Sequence, residues 1–437
     1  MPADDPADSL LLVRSTPLIC ADLELSRPLV SEPSAGRGLS LLVRLHGDPL
    51  GVWQIEPVDV EPGDSKRLIT RAQHEFAEQI AAHVASGCRW PDADDGESCP
   101  ASGELQTFIA PVSVIIPTVG TRATLANCLT ALCAQEGAGE IEIIVVCNRA
   151  QSMQAVERIV AAQGDTRIVV LREDRPGVSY ARNTGIAAAQ HNLVLFTDDD
   201  VTVDSRWVAR TVAVFEQDAQ IGAVTGLVLP GSLETQAERD FELSSSFAKG
   251  FLRRVWALQQ DDHTRKIGPS GDGGPLFPFS AGYMGSGNSM AFRSGLLATL
   301  GGFDPALRTG QDLDLFCRLI MAGEIIVYEP RVLVRHFHRD SPDALIKQTR
   351  RYGMGLSALL TKQFLHTPGA RSRLLRVVPT GTLRYLGSRH RSGVVPGEEG
   401  SLARAPRRPP KLAAVELGGF VVGPFHYLWA RHKIKSA

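Results

Sequence analysis

Three consecutive aspartates, Asp198, Asp199 and Asp200, follow a short apolar run at residues 193–196 that predicts a buried strand. Three neighbouring carboxylates repel one another, so a strand end is a costly place for them unless a cation or strong hydrogen-bond donors compensate the charge. Oxygen ligands of this kind suit Mg2+ or Mn2+, which proteins commonly share with substrate phosphates. A solvated loop is the alternative interpretation of the three residues taken alone.

Two more groups with possible chemistry occur later in the chain. Asp312 lies in a glycine-rich turn at the start of a predicted helix, where the helix dipole favours a carboxylate, so it is either a helix-capping residue or a general base. His336 and His338 follow a predicted strand at residues 332–334, and residues two apart in an extended segment face the same side. This spacing is consistent with one of the two histidines as a metal ligand.

The elements that position these groups begin at residue 112. Predicted strands at residues 112–116, 141–146, 168–171 and 193–196 alternate with helices, which is typical of a largely parallel sheet covered on both faces. In such sheets ligands bind beyond the carboxyl ends of the strands, where loops and helix N-termini converge. The three aspartates lie at that end of their strand, and this position favours a binding site over a solvated loop.

Residues 1–105 are predicted to form a small accessory α+β module. Apolar stretches at residues 10–13 and 39–45 precede an amphipathic run at residues 66–86, which predicts one helix with a buried face. Residues 91–102 have the composition of a linker. We find no catalytic constellation here. His46, His74 and His83 are isolated in the sequence, and we interpret them as solvated or core histidines.

The composition limits the function classes. The chain of 437 residues is 43% hydrophobic and 22% charged with a formal net charge of -2, which gives no reason to expect a nucleic-acid partner. Seven scattered cysteines without a Cys-x-x-Cys pair indicate free, mostly buried thiols in a reducing compartment. The acidic N-terminus lacks the order of a signal peptide, and no apolar run reaches the roughly 18 residues of a membrane span. We therefore expect a cytoplasmic protein, soluble or peripheral to a membrane.

Residues 361–437 are predicted to form a basic helical tail. An apolar segment at residues 417–429 is followed by Arg431, Lys433 and Lys435. Two interpretations stay open. The tail docks on the anionic inner face of the cell membrane, where lipid-linked acceptors reside, or a terminal helix packs on the rest of the protein with its charges in solvent.

Seven motifs occur in order along the chain: VSVIIP at 112–117, RPGVSYARNTG at 175–185, FTDDD at 196–200, GSGNSMAFR at 285–293, GFD at 302–304, QDLD at 311–314 and HFHR at 336–339. In their collinear order and compatible spacings they resemble the motifs of family 2 glycosyltransferases, and the resemblance covers about residues 110–360. The resemblance implies the GT-A (nucleotide-diphospho-sugar transferase) fold, an α/β fold with a mostly parallel mixed sheet flanked by helices. It also implies a hexosyltransferase-type enzyme of polysaccharide biosynthesis. Such an enzyme moves a sugar, with inversion, from a nucleotide-sugar donor to a hydroxyl of a glycan, lipid-linked or small-molecule acceptor.

The resemblance also implies roles for individual residues. Asp312 matches the catalytic base, which takes the proton of the acceptor hydroxyl. Mn2+ or Mg2+ would be held by Asp200, as the direct ligand, with Asp198 and either His338 or His336. The residues implied to bind the donor are Pro117, Asn148, Arg182, Asn183, Asp198, Asp199, Gly287 and Asn288.

Two positions depart from the family pattern. Cys147-Asn148 stands where an aspartate usually reads the nucleobase, so the base preference is open. Gln311-Asp312 replaces the usual Glu-Asp pair, which we do not interpret as a loss of activity. Three alternatives to the transferase remain. The first is a nucleotidyltransferase, although residues 117–122 match its phosphate loop poorly. The second is a catalytically inactive carbohydrate-binding scaffold protein, which gives no reason to retain Asp312 together with the two histidines. The third is a membrane-docked assembly factor, which would need only the basic tail.

Overall fold

The computed structural model describes residues 16–27, 37–55, 65–88, 90, 99, 110–120, 123–245, 247–274, 276–279, 281–377 and 410–436. Its strands are β1 Leu18–Glu24, β2 Gly38–Leu45, β3 Asp48–Ile55, β4 Val112–Thr118, β5 Ile141–Cys147, β6 Ile168–Arg172, β7 Leu193–Phe196, β8 Val201–Val203, β9 Ile221–Pro230, β10 Arg254–Trp256, β11 Met290–Arg293 and β12 Ile325–His336. Its α-helices are α1 Ser65–Glu75, α2 Ala77–Ala85, α3 Thr124–Cys133, α4 Met153–Gln163, α5 Val178–Ala188, α6 Trp207–Gln217, α7 Gln236–Ser245, α8 Asp262–Ile267, α9 Ser294–Leu300, α10 Gln311–Met321, α11 Pro342–His366 and α12 Pro410–Ser436.

The first three strands and two helices form a unit that we call the N-terminal module. β2 lies between β1, which is parallel to it, and β3, which is antiparallel. Apolar side chains of β2 pack with Leu68, Ala72 and Phe76 in a core of their own. The predicted single helix is two helices that meet at Phe76, whose ring fills the space beside Gly51. The predicted apolar stretch at residues 10–13 lies outside the described residues, as does most of the predicted linker.

A nine-stranded mixed sheet forms the centre of the rest of the chain. Its order is β10-β12-β9-β11-β7-β4-β5-β6, with β8 paired to β12. β7, β4, β5 and β6 are parallel, and β11 is antiparallel to both of its neighbours. All four strands predicted after residue 112 are present, and the one predicted at residues 332–334 is the end of the longer β12. Two apolar clusters cover the two faces of this sheet, as the continuous hydrophobic runs of its strands require.

The last two helices pack closely against each other. A Cβ atom at Gly353 would lie 2.0 Å from Glu416 O, and one at Gly419 would lie 2.1 Å from Arg350 O. These glycines let α11 and α12 approach backbone to backbone, so the apolar segment at residues 417–429 belongs to a helix that is docked on one side. None of the described helices has an apolar stretch long enough to cross a membrane.

The N-terminal module contacts the large sheet through buried ion pairs. Arg44 on β2 lies 2.8 Å from the carboxylate of Asp204, which follows β8. Arg210 on α6 pairs with the same carboxylate at 3.2 Å and donates to Gly47 O at 3.1 Å. Since β8 follows directly after Asp200, this contact lies next to the loop that carries the three aspartates.

Candidate active site

The three aspartates follow β7 at the carboxyl end of the parallel strands, as the sequence predicts. Asp199 is buried and its carboxylate accepts a hydrogen bond from Thr118 Oγ1 at 2.6 Å, at the end of the adjacent strand β4. Thr124 Oγ1, at the start of α3, donates to Asp199 O at 2.7 Å. Hydroxyl donors therefore stabilise the middle aspartate and fix the loop that carries the other two.

Asp198 is held by two donors from different motifs. Arg182 Nη2 lies 3.0 Å from Asp198 Oδ1, and Asn288 Nδ2 donates to Asp198 Oδ2 at 3.2 Å. Arg182 is only 2% exposed, and among the described residues its Nε and Nη1 atoms are buried without a hydrogen-bond partner. A buried guanidinium with unused donors is costly, and it is a suitable group for binding an anion.

Asp200 lies beside the two histidines. Its Oδ2 atom is 3.4 Å from His336 Nε2, His336 Nδ1 is 3.0 Å from His338 Nδ1, and His338 Nε2 is 2.9 Å from Glu242 Oε1 on α7. The two imidazoles face the same side of the chain, as predicted. In the described part of the chain, no third His, Cys, Asp or Glu ligand atom joins Asp200 and His336 within 4.8 Å. Asp200 is therefore paired with His336, whereas His338 contacts Glu242.

Asp312 lies in the first turn of helix α10, and its carboxylate contacts the segment that carries Gly287. Its Oδ2 atom accepts a hydrogen bond from Gly287 N at 2.8 Å, and Gly287 O accepts one from Arg182 Nη2 at 3.2 Å. A Cβ atom at Gly287 would lie 3.0 Å from Arg182 Nη2 and 3.1 Å from Asp312 Oδ2. The peptide at Gly287, where a side chain would be tightly crowded, thus joins Asp312 to Arg182 and, through Arg182, to Asp198.

Asp314, two residues after Asp312, has a structural role. Its buried carboxylate is bound by Arg318 at 2.8 Å, by Gln363 Nε2 at 2.8 Å and by Lys362. Lys362 Nζ also lies 3.5 Å from Asp304 Oδ2. These contacts attach α10 to α11, so the QDLD motif combines one acid that faces the site with one that holds its helix.

Two of the asparagines predicted to bind the donor contact the protein's own backbone. Asn183 donates to Phe303 O and accepts from Phe303 N, both at 2.8 Å. Asn148 donates to Glu173 O at 3.0 Å and Arg175 O at 2.7 Å, and it accepts from Gly177 N at 2.7 Å. Both amides therefore shape the segments around the site. The predicted direct contact with a donor stays a prediction for them.

The ends of β4 and β5 carry the remaining predicted positions. Pro117 is buried at the second-last position of β4, and Cys147 is buried at the end of β5 with its thiol donating to Arg149 O at 3.3 Å. The thiol is directed into the protein. Cys147 therefore supplies no carboxylate at the position where the resemblance implies an aspartate.

Sequence reasoning missed Thr118, Glu242 and Glu173. Glu173 is buried after β6, where it binds Arg175 at 2.6 Å and Thr184 Oγ1 at 2.6 Å. The hydrogen bonds from Arg175 hold the pKa of Glu173 at about 2, well below its usual value. Glu242 is 96 positions from His338, and no spacing in the sequence points to that contact. For Glu173, the Arg-Pro-Gly turn at residues 175–177 is the sequence feature that could have indicated its role.

The sequence matches the model of a family described as Glycosyltransferase like family 2 over residues 110–355. Among its relatives, the pre-mycofactocin glycosyltransferase of Mycobacterium tuberculosis is 27% identical over 318 residues, which are 73% of this chain and 60% of that protein. Glycosyltransferase AglE of Haloferax volcanii is 29% identical over 168 residues, which are 36% of this chain and 55% of that protein. The chain thus spans no more than 60% of the length of these two curated relatives.

One solved structure aligns with most of this chain. It is the mannosyltransferase PcManGT from Pyrobaculum calidifontis, in complex with GDP-Man and Mn2+. The TM-score is 0.41 at 17% sequence identity, and the alignment covers 84% of this chain and 96% of that one.

Proposed function

Because the chain belongs to glycosyltransferase family 2, we propose that it moves a sugar from a nucleotide-sugar donor to a hydroxyl group of a glycan, lipid-linked or small-molecule acceptor, with inversion at the anomeric carbon. The observation that carries this proposal is the connection of Asp312 to Asp198 through Gly287 and Arg182. It brings a candidate base and a candidate anion-binding group to the same end of the sheet.

The donor's diphosphate is the anion that we assign to Arg182. The guanidinium is buried, and in the described part of the chain two of its nitrogen atoms have no hydrogen-bond partner. Phosphate oxygens would satisfy these donors, and charge-assisted hydrogen bonds from arginine to phosphate are among the strong ones in proteins. Asp198 and the Gly287 carbonyl keep the side chain in place, so Arg182 would meet the donor already oriented.

A divalent cation fits the pair formed by Asp200 and His336. Mn2+ and Mg2+ are usually held by one or two protein side chains and complete their coordination with substrate phosphates and water, so two adjacent ligand atoms suffice. His338 and Glu242 would orient His336, as outer hydrogen-bond partners commonly do for a ligand. When bound, the ion neutralises charge that develops on the departing diphosphate. Direct binding of the metal by Asp198 or His338 stays a prediction.

Asp312 is the group that we assign as general base. Gly287 N–H occupies its Oδ2 atom, and among the described residues Oδ1 makes no hydrogen bond, so Oδ1 would take the acceptor's proton. The acceptor oxygen then forms the new bond to the anomeric carbon while the bond from that carbon to the diphosphate oxygen breaks. Attack from the side opposite the leaving group inverts the configuration. The proton ends on Asp312 and the electron pair on the diphosphate.

The test is incubation of the purified full-length chain with a panel of sugar nucleotides, with and without Mn2+. We expect donor-dependent stabilisation against heat and slow metal-dependent hydrolysis of one donor, which yields a free nucleoside diphosphate and the sugar. Turnover of nucleoside triphosphates with release of pyrophosphate would instead support the nucleotidyltransferase. Binding of sugars alone, without any effect of sugar nucleotides, would support the inactive carbohydrate-binding scaffold.

We further propose that the chain contacts the cytoplasmic face of the cell membrane through α12. One side of this helix packs on α11, and the other side exposes an apolar stripe formed by Leu417, Val421, Phe425, Leu428 and Trp429. Phe425 is 72% exposed. Lys433 Nζ lies 4.3 Å from the centre of the Trp429 ring, so cationic groups border the stripe. Apolar area next to Lys and Arg is the composition of helices that bind anionic lipid surfaces.

Co-sedimentation with vesicles that contain anionic lipid tests this membrane contact. A Phe425→Glu variant should bind the vesicles more weakly than the wild type, while Leu252→Glu, an equally polar change at an exposed leucine elsewhere, should not. Equal partitioning of the two variants would favour the alternative, in which α12 is only a packed terminal helix.

A further inference from the structure

Four potential metal ligands meet in the N-terminal module, far from the motifs of the proposed transferase site in the sequence. His46 lies in the turn between β2 and β3, His83 in α2, Cys88 just after α2, and Cys99 between α2 and β4 in the sequence. One ligand atom from each residue lies within 4.8 Å of those of the other three. His46 and His83 are isolated in the sequence, where we interpret them as solvated or core histidines, but the fold brings them together with two thiols.

Two sulfur-to-nitrogen distances within this cluster are close to those of a tetrahedral site. Cys99 Sγ is 3.3 Å from His83 Nε2, and Cys88 Sγ is 3.7 Å from His46 Nε2. Zinc binds sulfur at about 2.3 Å and imidazole nitrogen at about 2.0–2.1 Å, so sulfur and nitrogen ligands of one tetrahedral zinc ion lie about 3.6 Å apart. Two histidines and two cysteines are also the ligand types of many structural zinc sites.

The surroundings of the four side chains support the same interpretation. His83, Cys88 and Cys99 are buried. The other ring nitrogen of His83, Nδ1, is 3.6 Å from a carboxylate oxygen of Asp48, and Trp90 N donates to Cys88 Sγ at 3.4 Å. A carboxylate behind a histidine and an N–H group directed at a sulfur are common outer partners of metal ligands. They favour the imidazole tautomer and the thiolate that a metal needs.

The turn that carries His46 is held in a constrained conformation. His46 has a φ of 52°, in the left-handed region that a residue with a side chain seldom adopts. Glu24 holds this turn, since its carboxylate accepts hydrogen bonds from His46 N at 2.9 Å and Gly47 N at 2.8 Å. The backbone is therefore fixed where it directs the His46 ring to the cysteines.

We propose that His46, His83, Cys88 and Cys99 bind one Zn2+ ion as a structural site. Four protein ligands leave no open position, which is typical of structural rather than catalytic zinc. The ion would fasten α2 and the segment with Cys99 to the β2–β3 turn. The same turn contacts α6 through Gly47 O and Arg210, so the site would also stabilise the surface by which the module meets the large sheet.

The proposal is tested on the full-length chain purified in reducing buffer without chelator. Elemental analysis should find one equivalent of zinc per chain, and Cys88→Ser or Cys99→Ser should remove most of it. Cys133→Ser, a change at a cysteine outside the cluster, should keep the zinc. Asp200→Ala should keep it too, which separates this site from the proposed cation site of the transferase.

Replacement of zinc by Co2+ gives a second measurement that needs no variant to fold. The cobalt form of the wild type should show the strong absorption of thiolate-to-metal charge transfer and the visible bands of tetrahedral cobalt. The proposal is overturned if the wild type stays free of zinc after reconstitution with Zn2+, or if its cobalt form lacks these bands. A Cys88–Cys99 disulfide in protein prepared under reducing conditions, detected by intact mass, would equally overturn it.

Discussion

The backbone N–H of Gly287 donates a hydrogen bond to Asp312 Oδ2 at 2.8 Å, across 25 positions of the sequence. The carbonyl of the same glycine accepts from Arg182, which binds Asp198. A single residue without a side chain thus sets the positions of the candidate base and of the candidate diphosphate-binding arginine. In the proposed reaction these two groups act at opposite ends of the bond that breaks.

Replacement of Asp312 by asparagine separates catalysis from this structural contact. The amide oxygen of Asp312→Asn can still accept from Gly287 N–H, but it cannot take a proton at neutral pH. We expect the transfer rate to fall by roughly 10²–10⁴-fold, with donor affinity nearly unchanged. Initial-rate kinetics and calorimetric titration with the donor measure the two quantities.

Asp262→Asn is the control for this experiment, because Asp262 is 92% exposed and lies in α8. It should behave as the wild type. Normal turnover of Asp312→Asn would refute the assignment of the base, and an equal loss of donor affinity would mean that the residue supports the donor site instead.

The loss of the Asp200 carboxylate should act on donor binding itself. Asp200→Ala removes one of the two adjacent ligand atoms, so Mn2+ should no longer increase the affinity for the sugar nucleotide. Titration with the donor in the presence and absence of Mn2+ measures this dependence. If Mn2+ strengthens donor binding by the same factor in the variant and the wild type, Asp200 is not a metal ligand.

Much of the fold was predictable, because the strands of the large sheet are continuous apolar runs ended by turn residues. β7 has the predicted bounds, and β4, β5 and β6 differ from prediction by one or two residues at one end. The family resemblance is confirmed by the match over residues 110–355, and with it the GT-A fold class. Motifs in collinear order identify a family well, because a fold fixes the order in which its strands and the loops after them occur along the chain.

The site was predictable only as a set of residues. Which side chains touch each other depends on rotamers and on strand register, and spacing does not determine these. Asn183, for example, fits a motif near the donor, yet both of its amide atoms bind Phe303. The pairing of His83 with Cys99 was missed for a related reason. The four side chains of this cluster come from a turn, a helix and two later positions, without the short spacing that makes a zinc motif recognisable.

The ion pair of Glu173 should make stability depend on pH in a defined direction. The folded-state pKa of about 2 is lower than the usual 4.5, so the contribution is fully present above pH 4.5 and is lost as the pH falls through about 2. Because Arg175 is mostly exposed, Glu173→Gln should lower the free energy of unfolding by only about 1 kcal/mol at pH 7.

Urea unfolding at pH 7 and at pH 3 measures this effect. The difference between wild type and Glu173→Gln should be smaller at pH 3. Asp174→Asn is the matched control, because Asp174 is the next residue and pairs with Arg172 while both are exposed. It should change stability little at either pH. A Glu173→Gln effect that is the same at both pH values would contradict the ionic origin of the contribution.

Two adjacent glycines of α12 test how closely this helix packs on α11. A Cβ atom at Gly419 would lie 2.1 Å from Arg350 O, whereas one at Gly418 meets nothing within 4 Å. Gly419→Ala should therefore force the helices apart and destabilise the protein by about 1–3 kcal/mol. Gly418→Ala should be neutral or stabilising by up to about 1 kcal/mol, because alanine is the better helix former. In thermal unfolding, the midpoint of Gly419→Ala should lie clearly below the midpoints of Gly418→Ala and of the wild type if α12 is docked as described. Equal midpoints for the two variants would show that the two helices are not in backbone contact.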